Sequence, residues 1–136
     1  MDIEEIYIFL IEESGVRKSQ LSPEVDLRYD LGIEADDFAD LIDSFSEKYC
    51  VNMEVYLWYF HHGEEGWNLG ALFFKPPYEQ VITIKVTPQM LLESALLKKW
   101  PINYPEHHLT KGRPDITFNQ VFLLGIVMAG GLIWLW

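Results

Sequence analysis

Cysteine is almost absent. A chain with Cys50 alone cannot form an internal disulfide, which suits a reducing compartment. With no histidine beside it in sequence, Cys50 reads as buried filler rather than a nucleophile. Positive charge is scarce as well: 10 Lys and Arg stand against 21 Asp and Glu, for a net charge of −11. Residues 1–65 hold 17 acidic side chains and 4 basic ones, whereas residues 66–136 hold 4 and 6. So acidic a front half repels phosphate backbones and anionic lipid, which argues against nucleic acid and against lying flat on a membrane. The chain also lacks a P-loop, a nucleophile elbow and a dinucleotide glycine pattern; Gly63, Gly66 and Gly70 do not lead a strand into a helix. The first residues, MDIEEIYIFLIEES, are acidic where a secretory signal is basic. Repeats and low-complexity tracts are missing too.

Apolar material is plentiful. Hydrophobic residues make up 49% and aromatics 15% of 136 residues, enough for one small packed domain with an appendage. Ile3, Ile6, Tyr7 and Leu10 recur at helical spacing before Ser14-Gly15, predicting a first helix over about 2–14. A long loop follows over 15–35, with Leu21, Val25 and Leu27 as its inward anchors. The second helix is expected over Asp36–Tyr49, with Asp36 or Asp37 as its N-cap. At 100° per residue, Phe38, Leu41, Ile42, Phe45 and Tyr49 share one side of it. Asp36, Asp40, Asp43 and Glu47 share the other, in a stripe roughly 60° wide.

An amphipathic helix with an acidic outer face, entered through Asp30-Leu31-Gly32, resembles the recognition helix of an acyl carrier protein. In that family the Asp-Leu-Gly leads on to an Asp-Ser-Leu motif whose serine carries the phosphopantetheine arm. Here Ala35 stands at the serine position, between Glu34 and Asp36, and a methyl group cannot form a phosphodiester. The resemblance therefore implies the carrier's shape and docking face without a cofactor.

Beyond the second helix, Met53–Phe60 is dense in aromatics and fits either a short helix or an extended run. His61–Gly66 reads as a polar turn on a flexible loop. Trp67–Lys75 and Gln80–Val86 read as two strands of a hairpin joined at Pro76-Pro77, since Ile82, Ile84 and Val86 alternate with polar residues. Thr87-Pro88 is a strong helix start. A third helix is expected over about 88–99, with Leu91, Leu92, Ala95 and Leu96 facing in. This order of parts over residues 1–100 resembles a family of bacterial acyl-carrier-like domains of unknown function, lacking the serine. The resemblance implies a fold and no reaction.

Residues 101–115, rich in proline, read as a linker, and 116–136 as a membrane span. No charged side chain lies between Ile116 and Trp136, and 21 helical residues reach about 31 Å, close to the bilayer's hydrocarbon thickness. The Leu, Ile, Val and Phe residues favour insertion by roughly 3–7 kcal/mol, less the cost of Asn119 and Gln120. Trp134 and Trp136 suit an interfacial belt. Lys111 and Arg113 just before the span predict a cytoplasmic domain on a bacterial inner membrane, with the span inserted as a tail anchor. Burial of the same helix in a protein interface is the alternative. Gly125, Ala129 and Gly130-Gly131 would let two such helices pack as a homodimer.

The expected fold is thus α+β: a small acyl-carrier-like helical bundle with an added β hairpin over about 67–86, plus a C-terminal transmembrane helix. The expected function is non-enzymatic: Asp36, Asp40, Asp43 and Glu47 meet a basic protein partner. The bland reading is that this acid only keeps the domain soluble. Two alternatives are a working carrier modified at Ser44 or Ser46, and a small metal-dependent hydrolase built on His61-His62, Glu64-Glu65 and His107-His108. Adjacent histidines point in different directions, which disfavours the second and leaves no metal or catalytic residues to assign.

Overall fold

Helix α1 (Ile3–Ser14) starts where Asp2 accepts a hydrogen bond from the Glu5 N–H at 3.3 Å. It stops at Gly15, whose φ of 69° returns its N–H to the Ile11 carbonyl. Its inner face carries Ile6, Tyr7, Phe9 and Leu10. A computed structural model, describing all 136 residues, places three further helices: α2 (Ala35–Tyr49), α3 (Pro88–Leu97) and α4 (Pro114–Trp134). Short 3₁₀ turns lie between them at Lys18–Gln20, Trp58–Phe60, Leu69–Leu72 and Pro77–Glu79.

The core sits where α1 packs on α2 and α3. Phe38, Leu41, Ile42, Phe45 and Tyr49 of α2 are all buried, as their spacing predicts. Phe9 meets the edges of Phe45 and Tyr49 at ring separations of 5.9 and 5.7 Å. From the connecting segments, Val16, Leu27, Ile33, Val51, Val86 and Trp100 close the core. Leu27 is the one fully buried anchor of the long loop; Leu21 and Val25 are half-buried. In α3, Leu91, Ser94 and Ala95 are buried, Leu92 is partly so, and Leu96 is exposed, a correction of the expected inner face. Thr87 caps this helix by accepting from the Met90 N–H at 3.2 Å.

The β hairpin is absent. Neither 67–75 nor 80–86 forms a strand, and the sole bridge in the chain joins Asn52 to Lys99. Residues 81–86 are spoken for elsewhere. The Ile84 N–H donates to the Phe60 carbonyl at 2.7 Å, and Leu27 donates to the Val86 carbonyl at 3.0 Å. Alternation thus reports an extended segment wedged between two loops rather than a ladder. In 67–74 the backbone instead curls into a 3₁₀ turn capped by Asn68, whose side-chain oxygen accepts from Ala71 N. The fold is therefore all-helical, with an apolar α4 at its end.

Two smaller expectations also fail. His61 and His62 are 1% and 6% exposed, so the first half of the polar turn is buried, while Glu64, Glu65 and Gly66 are exposed. Cys50 is exposed, because it sits in the left-handed conformation (φ 53°) that ends α2 and turns the chain outward.

Candidate functional site

Asp36, Asp40, Asp43 and Glu47 all lie exposed on the outer face of α2, joined by Asp37. None of these five takes part in an ion pair. From residue 36 to residue 47 the stripe runs about 16 Å. Lys48, the one cation in α2, folds back over the rings of Phe9 and Tyr49 at 5.6 and 5.7 Å, and so does not neutralise it. A depression of about 310 Å³ lies at the stripe's upper end, bordered by Glu13, Asp37 and Asp40 above Val16, Ile33 and Leu41. Such a face offers charge and hydrogen-bond acceptors to a partner.

The head of α2 is built differently from the expected cap. Glu34, not Asp36 or Asp37, precedes the first helical residue. Its carboxylate accepts from Ala35 N at 3.0 Å and from Gly63 N at 2.8 Å, and it pairs with the Arg28 guanidinium. Burial alone would raise its pKa, but the Gly63 N–H, Arg28 and the Ala35 N–H outweigh that and hold it below the ordinary value. This latch ties the loop that leads into α2 to Gly63, 29 residues on. It also holds Ala35 at φ 49°, a left-handed conformation costing a side-chain-bearing residue about 1–2 kcal/mol. The Ala35 methyl is buried, at 2% exposure, so a larger side chain there would point into protein. Sequence reading missed the latch, since Arg28, Glu34 and Gly63 share no spacing rule.

The alternative serines offer little. Ser46 Oγ donates to the Asp43 carbonyl at 2.9 Å within the helix, and Ser44 and Ser46 are both half-buried.

The histidines are held by hydrogen bonds and stacking. His61 Nδ1 donates to the Ile84 carbonyl at 2.8 Å, which leaves Nε2 to accept the Tyr104 hydroxyl at 2.6 Å. The Tyr104 oxygen in turn accepts from Trp100 Nε1 at 2.8 Å and from Leu57 N at 3.3 Å. Burial pushes the His61 pKa down to about 4, against the raising effect of the Ile84 bond and with a small contribution from His62. Both ring nitrogens are used, so His61 is a structural centre for residues 57–104. His62 meets Phe38 and Trp58 in tilted ring contacts at 5.4 and 5.3 Å, and His107 binds the Tyr59 hydroxyl at 2.8 Å. His108 is exposed. No three His, Cys, Asp or Glu side chains converge at metal-ligating range.

A second constellation, also missed, joins α4 to the domain. Asp115 is fully buried. Its two oxygens take Arg113 Nε at 3.0 Å and Nη2 at 2.7 Å, and one also takes Asn68 Nδ2 at 2.9 Å. Arg113 reaches on to Glu64 at 2.9 Å. One turn along α4, Asn119 accepts from Gly70 N at 2.7 Å and donates to Asn68 Oδ1 at 2.8 Å. A methyl group on Gly70 would collide with the Asp115 backbone, so glycine is required at this crossing. Apart from this docked base, α4 is bare. Asp115 is the only buried residue of its 21, and the helix is long and apolar enough to cross a membrane.

No curated protein and no solved structure matches the chain. A family described as "protein of unknown function (DUF1493)" matches residues 2–103, which hold the three packed helices, the latch and His61 and leave Tyr104 and α4 outside. The chain belongs to that family.

Proposed function

We propose that this chain is a non-catalytic, carrier-shaped interaction module, held at a membrane by α4, that meets a basic protein surface through the acidic face of α2. The observation that carries this reading is the state of Asp36, Asp40, Asp43 and Glu47. All four are exposed and unpaired on a helix whose opposite face is buried. Unpaired like charges on one face repel each other, and a cationic partner relieves that repulsion. The acyl-carrier likeness is supported by the long loop running through Asp30-Leu31-Gly32 into an amphipathic helix. The missing modification is supported by Ala35, which has no nucleophile and is buried. Contacts of this kind form fast, weaken with salt and have modest affinity.

Membrane attachment is supported by α4, since 21 helical residues with so little cover need lipid or another apolar surface. On this reading Lys111 and Arg113 leave the domain on the cytoplasmic side of a bacterial inner membrane.

A photo-crosslinker at position 37, exposed beside the stripe on α2, in the full chain in membranes tests the docking face. Expected is a discrete crosslinked protein, lost in high salt and in the Asp40→Lys, Asp43→Lys variant. A crosslink unchanged by both would refute docking by charge.

A further inference from the structure

The segment from Trp67 to Phe74 leaves Trp67, Leu72, Phe73 and Phe74 exposed, at 58, 76, 66 and 43%. Trp67, Phe73 and Phe74 lie against the first turns of α4. Phe73 packs on Phe118 at a ring separation of 5.0 Å, and Trp67 faces Phe122 at 6.3 Å. Phe118 and Phe122 are themselves stacked along the helix, with ring planes 10° apart. The segment and the helix thus form one continuous apolar surface. If α4 enters the hydrocarbon at Ile116, then Phe118 lies about 3 Å and Phe122 about 9 Å below that boundary, at 1.5 Å per residue. Amphipathic elements that rest in one leaflet reach about 5–10 Å deep.

We propose that Trp67–Phe74 is a second membrane-inserted element, a wedge seated in the outer part of the leaflet that α4 enters. The inference rests on α4 lying in a bilayer. What distinguishes this segment from an ordinary apolar patch is how its polar groups are handled. At membrane depth every backbone and side-chain polar group needs a protein partner. The Gly70 N–H is met by Asn119, Ala71 N–H by Asn68, and Phe73 and Phe74 N–H by the Gly70 carbonyl. Asn119, a costly residue in an apolar helix, uses both ends of its amide on this segment. The wedge and α4 thus pair the Gly70 N–H and both ends of the Asn119 amide with each other. Lys111, exposed and in no ion pair, borders a groove of about 490 Å³ floored by Phe74, Phe118 and Val121, where a headgroup phosphate would meet it. The wedge would fix the domain against the membrane, so that α2 presents its acids at a set height instead of swinging on a tether.

The test uses the full chain in phosphatidylcholine bilayers, with Cys50→Ser removing the native thiol. An environment-sensitive probe is attached singly through Leu72→Cys, Asp43→Cys or Ile126→Cys, all exposed positions. Expected at 72 is quenching by shallow lipid nitroxides and loss of quenching by aqueous iodide; at 126, quenching by deep nitroxides; at 43, by iodide alone. Lipid quenching at 126 with iodide quenching at 72 would overturn the wedge and leave the anchor standing. Iodide quenching at both would overturn the anchor as well. Shielding of 72 from both quenchers would mean that protein covers the segment, such as a second copy of the chain, and would also refute the wedge.

Discussion

Asn68 and Asp115 stand 47 residues apart in sequence and 2.9 Å apart in space, and their hydrogen bond joins the apolar α4 to the folded domain. Through it, a carboxylate with no exposure is shared between Arg113 and a 3₁₀ turn. Breaking it would leave buried polar groups on both sides.

The first prediction concerns this joint. Asp115→Ala strands Asn68 Nδ2 and part of Arg113, and should cost about 1–3 kcal/mol. Gly70→Ala should cost more, because backbone rather than a mobile side chain blocks the new methyl. Hydrogen exchange checks both: amides 68–74 and the first turns of α4 should lose protection, while α1 and α2 keep theirs.

Acidification should expose His61. Its folded pKa of about 4 lies below the ordinary 6.5, so the unfolded chain binds the extra proton between those values. Stability is therefore full above pH 6.5, falls as pH drops towards 4, and flattens below. The whole effect is about 3 kcal/mol. Urea titrations at pH 7 and pH 4 should show this loss for the wild type and a much smaller one for His61→Gln. Parallel losses would sink the assignment.

Glu34→Gln tests the latch at the head of α2. The neutral amide can still accept from Gly63 or Ala35 but gives up the charged pairing with Arg28. A cost of about 1 kcal/mol is expected, modest because the carboxylate is 44% exposed. Since its folded pKa lies below the ordinary 4.5, the wild-type advantage should be present at pH 7 and vanish as pH falls through the carboxylate range. Chemical denaturation of both proteins at pH 7 and pH 3 measures this.

Asp40→Lys with Asp43→Lys should leave thermal stability unchanged or slightly raised. Neither carboxylate has a partner to lose, and their mutual repulsion is removed. A melting temperature lowered by many degrees would mean that the stripe is structural.

Helices proved legible where periodicity met a local stop or start. Gly15 ends α1, Thr87-Pro88 opens α3, and the five inward residues of α2 are all buried. The hairpin was misread because alternation over Ile82–Val86 reports which side chains point inward, not what the backbone pairs with. That choice fell to Phe60 and Leu27. Glu34 was overlooked for a related reason: two aspartates next to it looked like better caps, yet its longer side chain also reaches Gly63, 29 residues on.

By itself the sequence determined the amphipathic α2 with its acidic face and the uncharged run of α4, since both follow from local order and helical geometry alone. Only the tertiary structure decided that His61 is a buried, neutral centre and that α4 is locked to Trp67–Phe74. Those outcomes depend on partners brought together from 23 to 51 residues away, Ile84 and Tyr104 for His61, Asn68 and Gly70 for α4. A buried polar group must find whatever partner the packed chain supplies, and no spacing rule in the sequence names it.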